Sequence, residues 1–205
     1  MTELAPGTAE YWDQRYAAVT DTDVSWFQPE PLISLDLIGR VAGPTASVVD
    51  VGGGASRLVD HLLELGFRDV TVLDLSQEAL RTSRDRVGEA PVSWVAQDIR
   101  EWQPARTFDV WHDRAAYHFL TDQDDQRRYW YLVRDSVVPG GHVLIATFAE
   151  DGPTMCSGLP VKRYSADELK AAMGAGFTVI ETRREQHVTP SGGTQSFQWT
   201  LAQRV

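Results

Sequence analysis

Residues 47–57, SVVDVGGGASR, constrain this chain more than any other stretch. Val48, Val49 and Val51 are β-formers that flank Asp50, and Gly52, Gly53 and Gly54 follow without a break. Residues 55–66, ASRLVDHLLELG, then read as a helix from Ala55 to Leu65, with Leu58, Leu62 and Leu65 on one face and Gly66 as its stop. A buried strand, a glycine turn and a helix start, in that order, make a binding site of nucleotide size. Glycines let the backbone turn sharply and approach a ligand where a Cβ would clash. The helix start offers unpaired N–H groups to an electron-rich ligand. The dinucleotide fingerprint GxGxxG is met at Gly52 and Gly54, but Arg57 stands where its third glycine belongs.

The remaining chain alternates strand and helix signals. Residues 9–19 read as a short helix whose Tyr11, Trp12, Arg15 and Tyr16 fall at helical spacing, at least part of that set as a core-facing stripe. A loop carrying Trp26 and Phe27 follows, and these aromatics cover either a ligand pocket or the sheet edge. Pro29 or Pro31 suits the first turn of a helix with Leu32, Leu35, Ile38 and Val41 on its apolar face, ended by Gly43-Pro44. Further strands are read at DVTVLD, PVSWVAQD, FDVWHD and HVLIATF. Ser76 caps a helix before the third strand. A helix from Gln123 to Val138 is stopped by Pro139-Gly140-Gly141. Ser165 and Glu168 form a capping box on another helix. Two last strands, joined by PSGG, close the chain as a hairpin. This order implies an α/β, doubly wound, mostly parallel sheet with a C-terminal antiparallel hairpin. Ligands of such sheets bind beyond the carboxyl ends of the strands. Asp50, Asp74, Asp98 and Asp113 all fall at or near those ends, on one rim.

Composition bounds the reading. At 205 residues and 42% hydrophobic content, the chain is expected to fold as one domain, 1–205, with N-terminal helices and a lid loop over 1–44 and a core over 45–205. The formal net charge of −10 argues against a nucleic-acid partner, whose affinity comes largely from Lys and Arg. Cys156 is the only cysteine, which leaves no intrachain disulfide and no thiolate metal cluster. The N-terminus lacks the basic and apolar regions of a signal peptide, and no stretch is long enough to span a membrane. A soluble cytoplasmic protein, monomer or homodimer, with no membrane partner is expected.

Asp50-x-Gly52-x-Gly54 resembles the first motif, DxGxGxG, of class I S-adenosylmethionine (SAM) methyltransferases, with small Ser56 in place of the last glycine. VVDVGGG, VTVLDLS, AQD, FDVWHD and VVPGGHVLIAT are similar to the successive motifs of that family and cover about residues 47–147. The resemblance implies a seven-stranded Rossmann-like sheet, SAM bound along the rim and S-adenosylhomocysteine as product. It assigns cofactor binding to Trp26, Asp50, Gly52, Gly53, Gly54, Asp74, Leu75, Asp98, Ile99 and Asp113. Asp74, 22 residues after Gly52, would accept hydrogen bonds from the ribose hydroxyls. Asp98 would read the adenine amine, with Leu75 and Ile99 on the faces of the ring. Asp113 would lie near the methionine ammonium, and Asp50 would order the glycine turn.

Methyl transfer from a sulfonium is an in-line displacement, in which orientation supplies much of the rate. A base is required only when the acceptor starts protonated. The catalytic candidates are His112, Arg114, Tyr117 and His118, which follow strand four. His118 is expected to face the cleft from the next helical turn, as a base or as a structural hydrogen-bonding group. Arg114 binds an anionic substrate or pairs with a neighbouring acid. No metal is expected, because His112, Asp113 and His118 have no more than a loose ligand spacing. Cys156 sits in a Gly/Pro-rich loop able to act as a lid.

Two branches of the family resemble further segments. The run Asp113-Arg114-Ala115-Ala116, the DQRRYW helix and the Gly-Pro loop resemble the thiopurine methyltransferase branch. The YWDQRY start and the VSWFQ loop resemble small lysine methyltransferases of translation elongation factors, which carry DKGT where this chain has DRAA. The expected function is SAM-dependent methylation of a small-molecule thiol, hydroxyl or amine. A protein lysine N-methyltransferase and a non-catalytic SAM-binding protein are the alternatives, and a nicotinamide oxidoreductase is disfavoured by Arg57.

Overall fold

The computed structural model describes residues 5–205. Strands β1 (Ser47–Val51), β2 (Asp69–Asp74), β3 (Val92–Ala96), β4 (Phe108–Arg114), β5 (Val137–Phe148), β8 (Phe177–Val188) and β9 (Thr194–Arg204) form one seven-stranded sheet in the order β3-β2-β1-β4-β5-β9-β8. β9 pairs antiparallel with both β5 and β8, while the other pairings are parallel. Strand order reverses between β1 and β4, where a doubly wound sheet opens its ligand crevice. A small hairpin, β6 (Met155–Cys156) and β7 (Leu159–Pro160), stands apart from the sheet.

Side-chain alternation along the strands builds two cores. On one face, Val48, Val110, Leu144 and Trp199 pack with α2 (Leu32–Val41), α3 (Leu58–Glu64) and α4 (Gln77–Val87), through Leu37, Ile38, Leu58, Leu62 and Leu80. On the other, Val49, Trp111, Val143 and Ile145 pack with α5 (Gln123–Ser136) and α6 (Ala166–Met173), through Tyr129, Val133, Leu169 and Met173. Ser76 caps α4, and Ser165 with Glu168 forms the capping box of α6. No helix of the described residues is long and apolar enough to cross a membrane.

Several boundaries differ from the sequence reading. α3 starts at Leu58 rather than Ala55, because the Ser56 N–H donates to Gly53 O at 2.7 Å and closes a tight turn first. The expected presentation of helix N–H groups directly after the glycines is therefore lost. α5 ends at Ser136, and Pro139-Gly140-Gly141 lies inside β5, next to a register shift opposite Phe108–Val110. β3 ends at Ala96, two residues short of Asp98. α2 buries Ser34, Leu37 and Ile38 and leaves Leu32 exposed, so its buried stripe is rotated from the expected one. α1 (Ala9–Ala18) buries no residue fully, so its aromatic stripe is not a core face.

Candidate active site

The glycine turn closes back onto β2. The N–H groups of Gly52 and Gly53 both donate to Leu73 O, at 2.8 and 3.2 Å. Gly52 has φ +69° and Gly54 φ +40°, backbone that side chains rarely adopt. A Cβ on Gly52 would come 2.6 Å from Ala116 Cβ, and one on Gly54 would come 2.8 Å from Asp74 Oδ2. The turn thus leaves room that any other residue would fill. Gly53 faces inward instead, where its Cβ would collide with Asp50 Oδ2 at 2.5 Å. Asp50 lies beneath the turn rather than in the cleft.

A cavity of about 590 Å³ opens beside this turn. It is lined by Asp74, Leu75, Asp98 and Ile99, by Trp12, Trp26, Arg114, Phe119 and Cys156, and by Gly52 of the turn. Trp12 and Tyr16 of α1, members of a set that the sequence reading gave at least in part to the core, both line it. The missed signal is the neighbourhood of Trp26, because Trp12 and Tyr16 pack edge-on against that ring at 6.2 Å. Asp13 fixes α1 in place by accepting from the Ser76 hydroxyl at 2.6 Å and the Glu78 N–H at 3.1 Å.

The four rim acids differ in environment. Asp74 ends β2 and accepts from the Ser76 N–H at 2.8 Å. It has no cationic partner among the described residues, and burial pushes its carboxyl up to about 7 against that hydrogen bond. Asp98 is held by Arg100, whose Nε lies 2.9 Å from Oδ2. Partial burial opposes its charge, but the Arg100 side chain and backbone N–H outweigh this and hold the carboxyl below its ordinary range. Asp113 does not reach the cleft. It follows His112 on β4, so alternation turns it to the opposite face of the sheet. There its carboxylate accepts from the Tyr129 hydroxyl at 2.6 Å and the Ala116 and Tyr117 N–H groups at 3.0 and 3.1 Å, and burial lifts it to about 6. Its expected place beside a ligand ammonium is corrected accordingly.

The catalytic candidates separate in the same way. Tyr117 is fully buried, accepts from Trp130 Nε1 at 2.9 Å and packs between Tyr129 and Tyr164. His118 is also fully buried, against Phe119 and Phe148, and does not line the main cavity. Burial and the Arg114 charge push it down to about 3, so it stays neutral. The expectation that His118 and Tyr117 face the cleft is corrected: the 3-10 turn at 117–119 points them into the core. His112 sits below the cleft, between Asp50 Oδ1 at 2.7 Å and Ser34 Oγ at 2.9 Å. Asp50 and His112 face each other across the β1–β4 pairing, which places them on one face of the sheet. Among the described residues, no three His, Cys, Asp or Glu side chains are grouped to hold a metal. Only Arg114 of the four reaches the main cavity. Cys156 lies in the cavity wall on the β6–β7 hairpin, where burial pushes its thiol up to about 11.

A glycine cradle, a carboxylate without a cation at the end of β2 and apolar residues at 75 and 99 fit a bound adenosine group. On a seven-stranded sheet of this order they resemble the cofactor site of class I SAM methyltransferases. Residues 48–141 match the family model described as "Methyltransferase domain". The chain is 32% identical over 104 residues to bovine (Bos taurus) EEF1A lysine methyltransferase 4, covering 49% of this chain and 40% of that protein. It superposes on the Burkholderia thailandensis 1,6-didemethyltoxoflavin-N1-methyltransferase, solved with 1,6-didemethyltoxoflavin and S-adenosylhomocysteine, with TM-score 0.72 and 25% identity over 96% of this chain and 84% of that one. It likewise superposes on the N-methyltransferase NodS from Bradyrhizobium japonicum, solved with S-adenosylhomocysteine, with TM-score 0.74 and 18% identity over 96% and 98% of the two chains. The chain spans 18%, 47% and 40% of the length of three curated relatives it matches.

Proposed function

We propose that this protein transfers a methyl group from SAM to a small-molecule acceptor. The observation that carries this reading is the single cavity that joins Asp74 and Asp98 to an aromatic chamber at Trp12, Trp26 and Phe119. Its volume of about 590 Å³ lies within the range typical of small-molecule sites. When bound, SAM supplies an electrophilic methyl on a sulfonium.

The chain's own residues do the rest. Asp74 accepts the ribose hydroxyls, and Leu75 and Ile99 pack on the adenine. Asp98, already paired with Arg100, keeps lone pairs for the adenine amine. The glycine turn leaves space for the methionine portion. The aromatics of α1 and the Trp26 loop exclude water from the acceptor, so that orientation rather than a base carries the rate. Asp50 and His112 support the turn from beneath. The charged group at the acceptor end is the Arg114 cation, which disfavours a lysine side chain there and weighs against the protein-lysine reading. A thiol, hydroxyl or amine acceptor remains open.

The test feeds methyl-labelled SAM and the protein to a desalted lysate, with and without added small thiols and phenols. Label in the small-molecule fraction that depends on the added pool supports the proposal. Label in a protein band overturns the small-molecule acceptor. Calorimetry that finds no SAM binding overturns the whole reading.

A further inference from the structure

Arg114 is a half-buried residue, but two of its three guanidinium nitrogens are closed to solvent and unused. Nη1 donates to the Trp26 carbonyl at 3.0 Å, and the guanidinium carbon lies 4.6 Å from the Phe197 ring centroid. Nε and Nη2 are both buried and have no hydrogen-bond partner among the described residues. Burial lowers the pKa of the side chain, as it does for any charge withheld from water. The acids around it are committed elsewhere. Glu185 accepts from Gln28 Nε2 at 2.9 Å and from Trp199 Nε1 at 2.7 Å, and Asp50 Oδ1 is taken by His112.

The open pair of nitrogens is informative. Nε and Nη2 form the side edge of a guanidinium, the edge that grips both oxygens of one carboxylate. Arg86 uses that edge in this molecule, with Nε 2.6 Å from Asp60 Oδ1 and Nη2 2.7 Å from Asp60 Oδ2. Arg114 has the same fork, held in place by the Trp26 carbonyl and by Phe197, and no carboxylate in it. A buried polar group without a partner is costly, and a buried charge more so.

Position decides which ligand fills it. The adenosine-reading residues lie at the ends of β2 and β3. Arg114 leaves β4 in the other direction, and its guanidinium reaches over Phe197 of β9, which is separated from β4 by β5. It also lines both the main cavity and a small one of about 50 Å³ behind it.

We propose that the Nε–Nη2 edge of Arg114 is a carboxylate-binding subsite for the methyl acceptor, so that the acceptor is a planar, aromatic-sized molecule carrying a carboxylate or an equivalent anion. The proposal rests on the methyltransferase reading above. The aromatic walls at Trp12, Trp26 and Phe119 accept the apolar part, and the guanidinium orients it. Because the two nitrogens are closed to solvent, the loop carrying Trp26 must give way for the anion to enter.

The experiment measures calorimetric binding of matched aromatic carboxylates and carboxamides, namely benzoate with benzamide and 2-naphthoate with 2-naphthamide. Titrations use the full chain with saturating S-adenosylhomocysteine, for wild type, Arg114→Gln and Arg114→Lys. The expected result is a preference for carboxylate of tenfold or more in wild type. Arg114→Gln erases it, Arg114→Lys keeps part of it, and S-adenosylhomocysteine affinity stays within about twofold throughout, since two lost charge-assisted bonds act on the acceptor alone. Equal affinity for carboxylate and carboxamide in wild type overturns the proposal. A fall of tenfold or more in S-adenosylhomocysteine affinity in Arg114→Gln also overturns it, by assigning the fork to the cofactor's own carboxylate. If wild type binds no S-adenosylhomocysteine, the methyltransferase reading fails by itself. The same pairs titrated into the free protein then judge the anion subsite: a preference of tenfold or more that Arg114→Gln abolishes upholds it, and no preference overturns it.

Discussion

His112 Nδ1 lies 2.7 Å from Asp50 Oδ1, with both side chains almost wholly buried beneath the glycine turn. A neutral ring that donates its Nδ1–H to Asp50 accepts the Ser34 hydroxyl of α2 at Nε2, 2.9 Å away. The chain of three groups links an N-terminal helix to the strand that carries the turn. Asp50 in turn occupies the space directly below Gly53, so the carboxylate and the turn share one geometry.

Removing one partner of that pair leaves the other buried and unsatisfied. His112→Leu and Asp50→Leu should each destabilise the fold by about 2–4 kcal/mol. The double variant should be less damaging than the sum of the two by about 1–3 kcal/mol. Urea unfolding of the four proteins measures the cycle. Additive losses would show that the contact carries no coupling energy.

Asp74 sets a pH dependence. Its carboxyl stands at about 7 in the folded protein against an ordinary 3.8, because burial disfavours the charge. A raised folded-state value means a stability contribution that is complete below the unfolded value and lost as pH rises through the folded one. The Asp74 contribution should therefore be lost between about pH 4 and pH 7, while His118, lowered to about 3, acts in the opposite sense up to about pH 6.5; the Asp74 share is read as the difference between wild type and Asp74→Asn across that window. Asp113, lifted to about 6, adds to the same window and stays in the variant. SAM binding should run the opposite way, tightening as pH rises through about 7, when Asp74 is a carboxylate able to accept two ribose hydroxyls. Asp74→Ala should abolish measurable SAM binding and leave the fold intact. Unchanged calorimetric affinity in that variant would remove Asp74 from the ribose.

The sheet, its closing hairpin and the glycine turn were legible because each rests on local pattern. Runs such as DVTVLD and HVLIATF, the Ser165–Glu168 capping box and the Gly52–Gly54 spacing need no knowledge of distant contacts. The rim residues were only half legible. Asp74 and Asp98 could be placed from strand ends, but the face a side chain takes depends on register. One step of alternation sends His112 beneath the cleft and Asp113 into the opposite core beside Tyr129. Likewise, the aromatic spacing of α1 reads the same whether the helix covers a core or a cleft. Only its docking on Ser76 and Glu78 through Asp13 decides, and that contact spans more than sixty residues.

His118 offers a test of catalysis by a buried histidine. Pushed down to about 3, it stays neutral across the pH range of ordinary assays. The only hydrogen bond of its ring among the described residues is a long one, 3.4 Å from the Phe148 N–H to Nδ1. A turnover–pH profile of the wild type, once an acceptor is in hand, should show no limb near 6.5 that disappears in His118→Gln. Such a limb, lost in the variant while SAM affinity holds, would restore His118 as a base.

A short hydrogen bond ties the β6–β7 hairpin to α1. The Tyr11 hydroxyl of α1 donates to Ser157 O at 2.5 Å. Ser157 itself sits at φ +51°, a strained position for a residue with a side chain, and Gly158 follows at +79°. A tight turn of this kind holds its shape only while neighbours fix it. Tyr11→Phe removes the hydroxyl and little else, so global stability should fall by no more than about 1–1.5 kcal/mol. Local opening should respond more strongly. Amide hydrogen exchange at residues 155–159 should accelerate by about fivefold or more, while exchange in β1 and β5 changes only as far as the global stability does. SAM affinity should be nearly unchanged, because Tyr11 lies outside the adenosine-reading set. Exchange at the hairpin no faster than in wild type would mean that Cys156 and Leu159, both buried, hold the hairpin down without the tyrosine.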